Sequence, residues 1–264
     1  MRENINERCM KFYRMLLKKP LREFQRVSSD VFVGENKIKC AHISKGVPTI
    51  VFENGFCSGM SCMKYWDSAF MELSKEFSLF AYDRVDDALS KKNIEDMRTH
   101  LEDKTEALRI MLEKKGLKAP YILVGHSLGG LYVQHFAKKY PNEVEGMVLV
   151  DAVYPEILTE ESVKGSEENI VLDTNIAKMG EVILAMPDFD TKLMFILSAT
   201  QEEHKKDNPD KVTMINRAIE KQKNYIKLYP FAQQTWIDCG HLIQYEKPES
   251  IVITVREMVK VLKK

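Results

Sequence analysis

The stretch Tyr121–Tyr140, YILVGHSLGGLYVQHFAKKY, carries the strongest local signal in the chain. Tyr121 to Val124 is a short apolar run of the kind that forms a fully buried strand. Gly125-His126-Ser127-Leu128-Gly129-Gly130 follows, and a helical pattern then runs from Leu131 to Tyr140 and stops at Pro141. A strand-to-helix turn this tight pushes the Ser127 backbone toward strain. Gly125 and Gly129 lack the Cβ atoms that would collide across it. The Ser127 hydroxyl is then left at the carboxyl edge of a sheet. The helix that follows aims its free N–H groups and positive dipole end at that edge, a setting suited to a developing oxyanion. A Gly-x-Ser-x-Gly pentapeptide in this strand–turn–helix context presents a nucleophile. Outside such a context the same pentapeptide is a glycine-rich turn with an incidental serine.

The rest of the chain places that unit among others like it. Val27–Val33 and Lys37–Ser44 read as a hairpin around Gly34-Glu35-Asn36. Thr49–Phe52 is a buried strand ending in Glu53-Asn54-Gly55-Phe56. Lys64–Lys75 is helical, and Phe77–Tyr82 is a strand ending at Asp83-Arg84. Thr99–Lys115 is a longer helix, with Leu101, Leu108 and Leu112 on its buried side. After the central unit come strands at Val144–Val150, ending at Asp151, at Leu193–Leu197 and at Thr235–Ile237. A helix opened by Pro248 runs to about Leu262. Strands alternating with helices predict an α/β fold, a mostly parallel eight-stranded sheet flanked by helices on both faces. Residues 27–152 and 191–264 form this core.

Two segments fall outside the rhythm. Ile5, Cys9, Phe12, Tyr13, Leu16 and Leu17 recur at helical spacing, so residues 1–26 read as an amphipathic helical segment packed on the domain or on a partner. Val153–Asp190 is rich in glutamate and carries Met179, Ile183, Leu184 and Met186 at helical spacing. An inserted helical cap over residues 153–190 accounts for it, and an ordinary long crossover is the plainer alternative.

Composition narrows the function classes. With 264 residues, 44% of them apolar and 30% charged, the chain is an ordinary globular one with room for a large core. Lys+Arg and Asp+Glu both number 39, so no global field draws it to nucleic acid or anionic lipid. Arg2, Glu3, Glu7, Arg8, Lys11 and Arg14 interrupt the first residues, so no secretory leader is read there, and no window is long and apolar enough to span a membrane. The five cysteines are odd in number, and Cys57–Cys62 (CSGMSC) has no usual zinc or redox spacing. A reduced, cytoplasmic chain is the simplest expectation.

In a parallel sheet, chemistry gathers at the carboxyl ends of strands. Standing there are Asn54-Gly55-Phe56, Asp83-Arg84, Ser127, Asp151, Ala199–Glu203 and His241. A serine hydroxyl needs a histidine to take its proton and a carboxylate to orient that histidine, so this set suits nucleophilic acyl transfer.

The sequence resembles the α/β-hydrolase fold superfamily, in the group of small esterases, peptidases and dehalogenases with a helical cap. The matching residues are VGHSLGG at 124–130, YDR at 82–84, VLVDA at 148–152 and GHLIQYEKPE at 240–249. The chain order Ser, acid, His is kept. The resemblance implies Ser127 as nucleophile and His241 as general base. It leaves two positions for the acid: Asp151, at the end of an apolar strand, or Glu202, after the strand that follows the cap. It implies an oxyanion hole from the N–H groups of Leu128 and Phe56, with Asn54 standing where the family's turn has histidine. A glycine-rich stretch normally follows YDR; here Val85-Asp86-Asp87-Ala88-Leu89-Ser90 does, with Asp86 and Asp87 read as solvated turn carboxylates. His126 would orient the turn and His135 would be packing. Met179, Ile183 and Met186 would contact a small-molecule substrate, a small to medium ester. This chemistry calls for no metal and no organic cofactor. Two rival readings are an aminopeptidase or amidase with a cap carboxylate as amine anchor, and a ligand-binding or signalling protein without turnover. The sequence does not set the oligomeric state.

Overall fold

The computed structural model describes residues 26–56, 61–84, 89, 94–157, 159, 170–188 and 193–264. The N-terminal amphipathic segment, Asp86 and Asp87 lie outside them. Among the described residues, the strands are β1 (Ser28–Val33), β2 (Asn36–Ile43), β3 (Thr49–Glu53), β4 (Ser78–Tyr82), β5 (Tyr121–His126), β6 (Val144–Val150), β7 (Leu193–Ala199) and β8 (Gln233–Ile237). They form one sheet in the order β1-β2-β4-β3-β5-β6-β7-β8. The β1–β2 hairpin and the β2–β4 pair are antiparallel, and every later pair is parallel. The α-helices of six or more residues are α1 (Asp67–Leu73), α2 (Met97–Lys114), α3 (Gly129–Lys139), α4 (Ile170–Leu184), α5 (Glu202–Asp207), α6 (Val212–Lys223) and α7 (Pro248–Leu262).

Period-two alternation sorts the central strands between two cores. Ile50, Phe52, Ile122, Val124, Val148, Val150 and Leu197 face α1 and α7, where Phe70, Ile251, Val255 and Met258 meet them. Their neighbours Val51, Leu123, Met147, Leu149 and Ile196 face α2 and α3, meeting Leu108, Met111, Leu112, Val133 and Phe136. All residues of β3, β4 and β5 are buried, which is why these strands read as continuous apolar runs rather than as alternating ones.

The expected strands and long helices are present, with ends moved by a few residues. The Lys64 helix begins as a 3-10 turn, Met63–Trp66, before α1. Helices α5 and α6 have no counterpart in the sequence reading. Helix α6 buries only Ile215 and Gln222, too thin a stripe to declare itself in VTMINRAIEKQK. The thiols of Cys40 and Cys239 are free, but Cys62 is disulfide-bonded. This corrects the expectation of a fully reduced chain. No helix among the described residues is long and apolar enough to cross a membrane.

Helix α4 lies between β6 and β7 in sequence and packs over α2 and α3 through Met179 and Ile183, against Met97, Leu101, Leu128, Leu131 and Tyr132. Buried Asn175 accepts from the Ile94 N–H and donates to the Leu89 carbonyl, each at 2.9 Å. Lys138, from α3, donates to the carbonyls of Met186 and Pro187 just past the end of α4. Cations belong at a helix carboxyl end, where carbonyls lack partners.

Candidate active site

Strand β5 ends at His126, and the chain reverses at Ser127 with φ of 51°, a left-handed conformation costly for a residue with a side chain. Leu128 is already helical and α3 begins at Gly129. A Cβ on Gly125 would stand 2.8 Å from the Gly129 carbonyl oxygen and 2.6 Å from Val133. One on Gly129 would stand 2.5 Å from the Asn54 oxygen. The glycines therefore let the helix start lean on both β5 and the turn after β3. The Ser127 N–H donates to the Val150 carbonyl at 3.1 Å, while the Ser127 carbonyl accepts from Gly130 and Val153. Three hydrogen bonds, two of them to the stretch at the end of β6, thus hold the strained residue, and its side chain is half-buried.

Asp151 takes up another left-handed turn, φ 39°, directly after β6. Its carboxylate is only 4% exposed. One oxygen accepts from the Ala199 N–H at 3.0 Å; the other accepts from the Gln201 side chain and lies 2.6 Å from His241 Nδ1. Glu202 instead is exposed at the start of α5 and pairs with Lys205 at 2.6 Å. Of the two carboxylates considered for His241, the fold brings Asp151 to it and turns Glu202 to solvent.

His241 sits in the turn after β8, with 45% of its side chain exposed. Desolvation pulls its pKa down, but the hydrogen bond and charge of Asp151, with Glu246 behind, outweigh it and set the pKa above its ordinary value. Glu246 also accepts from the Gly240 N–H at 2.8 Å, anchoring the loop. His126 donates from Nε2 to the His241 carbonyl at 3.0 Å, so its proton is on Nε2. Burial, then the nearby His241, hold the His126 pKa well below its ordinary value. His126 is a neutral brace between the two loops. His135 is buried against Thr105 at 2.7 Å.

On the other side of Ser127 lies the turn Glu53–Phe56. A Cβ on Gly55 would meet Ser127 Cβ at 3.1 Å and His126 Nδ1 at 3.0 Å, so the turn borders the serine directly. The Asn54 side chain donates to the Tyr82 carbonyl and accepts from Trp66 Nε1 at 2.9 Å. Arg84 donates to the Asn54 and Gly55 carbonyls, each at 2.9 Å, and to the Glu53 carboxylate, which also accepts from the Tyr82 hydroxyl. The side chains of Arg84 and Glu53 are 7% and 1% exposed. The guanidinium lies 4.3 Å over the Tyr132 ring. Burial pushes the Glu53 pKa up, and Arg84 and Tyr82 oppose it. Asp83 accepts from the N–H groups of Cys62 and Met63, which fixes the start of the 3-10 turn.

Met179 and Ile183 are fully buried, and Met186 is half-buried beside Lys138. In the apolar cluster that Met179 and Ile183 share with Leu128, the partly buried side chains are Phe56, Ile94, Val153, Leu172, Ile176 and Val182. Gln201, Glu246 and Glu53 are site residues that sequence reasoning missed. Single polar residues at the ends of short elements carry no periodic signal, and only their hydrogen-bond partners reveal them. No group of three or more His, Cys, Asp or Glu among the described residues could hold a metal ion.

A family profile described as alpha/beta hydrolase fold matches residues 48–201, more than half of the chain. The chain belongs to the alpha/beta hydrolase fold family. Among curated relatives, it is 30% identical over 127 residues to an uncharacterized protein of Bacillus subtilis, YbdG, and 31% identical over 108 residues to another, YqjL. These alignments take in 48% and 41% of this chain but only 38% and 40% of the relatives' lengths. Among solved structures, a serine hydrolase from Cycloclasticus zankles superimposes with a TM-score of 0.62 at 15% identity, over 89% of this chain and 98% of that one. A thermophilic esterase from Thermogutta terrifontis gives 0.58 at 17%, over 90% and 99%. A 2-hydroxy-6-oxo-6-phenylhexa-2,4-dienoate hydrolase from Rhodococcus gives 0.64 at 13%, over 89% and 98%. At these identities the likeness is one of fold.

Proposed function

We propose that the protein is a serine hydrolase that cleaves small to medium carboxylic esters through an acyl-enzyme. The observation that carries this reading is the 2.6 Å contact between His241 Nδ1 and buried Asp151, beside a serine held at φ 51° on a strand-to-helix turn. Ser127 Oγ attacks the ester carbonyl as its proton passes to His241 Nε2, and the carbonyl electrons move onto oxygen. Asp151 holds the ring with Nδ1 protonated and stabilises the imidazolium. The Leu128 and Phe56 N–H groups receive the oxyanion. Collapse breaks the ester C–O bond, and the leaving alkoxide takes the proton from His241. Water then repeats the sequence on the acyl-enzyme and releases the acid.

Residues 153–190 act as a cap in this reading. Phe56, Val153, Leu172 and Ile176 offer the substrate an apolar wall, and Met179 and Ile183 back it. Two described cap carboxylates are already engaged, which favours an ester over a substrate with a free amine: Glu156 pairs with Lys221, and Asp173 lies in the field of Lys221 and Arg217. The test is covalent labelling with a fluorophosphonate and turnover of p-nitrophenyl butyrate. Ser127→Ala is expected to abolish both. Wild type that neither labels nor turns over would end the proposal, and hydrolysis of amino-acid arylamides without ester turnover would redirect it to an aminopeptidase.

A further inference from the structure

Arg84 sits behind the turn that borders Ser127 and donates to the carbonyls of that turn. We propose that Arg84 is the positioning residue of the oxyanion hole, acting through the two peptide planes that join Asn54, Gly55 and Phe56. The inference rests on the hydrolase reading and adds a part to it.

Both peptides are trans. In a trans peptide the N–H points opposite to the C=O. Arg84 holds the Asn54 and Gly55 carbonyls on its own side, at 2.9 Å each, which turns the N–H groups of Gly55 and Phe56 away from it. The turn therefore presents donors on the face opposite the guanidinium. The planar fork of arginine suits this task, since separate N–H groups can take two carbonyls and a carboxylate at fixed angles; a lysine ammonium cannot reproduce that geometry. The guanidinium also lies at the negative ends of both peptide dipoles, and the surrounding low dielectric strengthens the effect. Donors fixed before charge develops need no reorganisation during reaction, which is the source of oxyanion-hole catalysis.

The remaining contacts keep the guanidinium in place. Glu53, at the end of β3, neutralises it, and Tyr82, at the end of β4, donates to the same carboxylate. Tyr132, from α3, closes the open face of the guanidinium. The start of α3 presses on the Asn54 oxygen from the other side, where only a glycine at 129 fits. One buried cation thus ties β3, β4 and the nucleophile-bearing helix to a single peptide geometry.

The test compares wild type with Arg84→Lys, which keeps a cation for Glu53, and with the double variant Glu53→Gln/Arg84→Met, which leaves no unpaired buried charge. Substrate is p-nitrophenyl butyrate, and phenylboronic acid is the tetrahedral analogue. The expected result, in whichever variant retains the wild-type circular dichroism and melting transition, is a kcat lower by about 10–100-fold with KM changed by less than about twofold. The inhibition constant for phenylboronic acid should rise in the same proportion, while the acid limb of the kcat/KM profile, set by His241 and Asp151, stays in place. A folded Arg84→Lys enzyme with wild-type kcat and boronate affinity overturns the inference while leaving the hydrolase reading intact. Loss of kcat without loss of boronate affinity also overturns it. A wild type inert toward the ester and the fluorophosphonate overturns both.

Discussion

Two carboxylates flank Ser127, and they differ in what they face. Glu53 ends β3 and meets Arg84, a permanently charged partner, with both side chains almost completely buried. Asp151 follows β6 and meets His241, a partner whose charge can change and whose ring is half open to solvent. One side of the site is therefore a fixed electrostatic frame, and the other is a titratable histidine–carboxylate pair, which the proposed function uses as a proton relay. The difference follows from chemistry. An arginine stays protonated at any working pH, so it can hold a backbone geometry but cannot shuttle a proton. A histidine with a raised pKa can do so near neutrality.

The sharpest way to break the comparison is to disable the titrating side alone. Asp151→Asn keeps the shape but reverses a hydrogen-bonding preference, and is expected to lower kcat by roughly 10³–10⁴-fold in p-nitrophenyl butyrate assays. The same variant should move the acid limb of kcat/KM to lower pH. Asp151 raises the pKa of the wild-type imidazole, so wild-type activity is lost as pH falls through a value above the ordinary histidine range; without the carboxylate that loss comes later. A pH–rate profile of both proteins decides the point.

Disabling the fixed side costs stability. Glu53→Ala removes the buried carboxylate that pairs with Arg84, and about 3–5 kcal/mol of unfolding free energy should be lost in urea titrations. Away from both sides, Met179→Ala opens a cavity between α4 and the helices beneath it, for about 2–5 kcal/mol by the same titration. Gly129→Ala forces a Cβ to within 2.5 Å of the Asn54 oxygen. It should cost about 1–3 kcal/mol and lower kcat as well, because the backbone that must yield is the turn beside Ser127. At the small end, Glu202→Gln removes only an exposed pair with Lys205 and should leave turnover within about twofold of wild type.

Much of this arrangement was legible beforehand for identifiable reasons. The strands β3 to β7 announce themselves because burial on both faces requires unbroken apolar runs such as GMVLV. The elbow announces itself because two glycines and a proline punctuate it. Helices α5 and α6 did not, since a mostly solvated helix needs few apolar residues. Gln201 and Glu246 were silent too: Gln201 acts through a hydrogen bond to Asp151 in a distant segment, and Glu246, at the end of the short helix Ile243–Glu246, through one to the neighbouring Gly240 loop.

The sequence alone determined the layered fold, the strained serine between glycines and the histidine beyond the last strand, because local sterics and burial period are written in neighbouring residues. Only the tertiary structure decided between Asp151 and Glu202. Both end or follow strands and both are acids. The choice depends on where the loop after β8 delivers His241, and that is set by the parallel register of β7 and β8. The same holds for Arg84. Its tripeptide YDR was visible, but three acceptors on a turn some thirty residues earlier became its partners only when β3 and β4 paired.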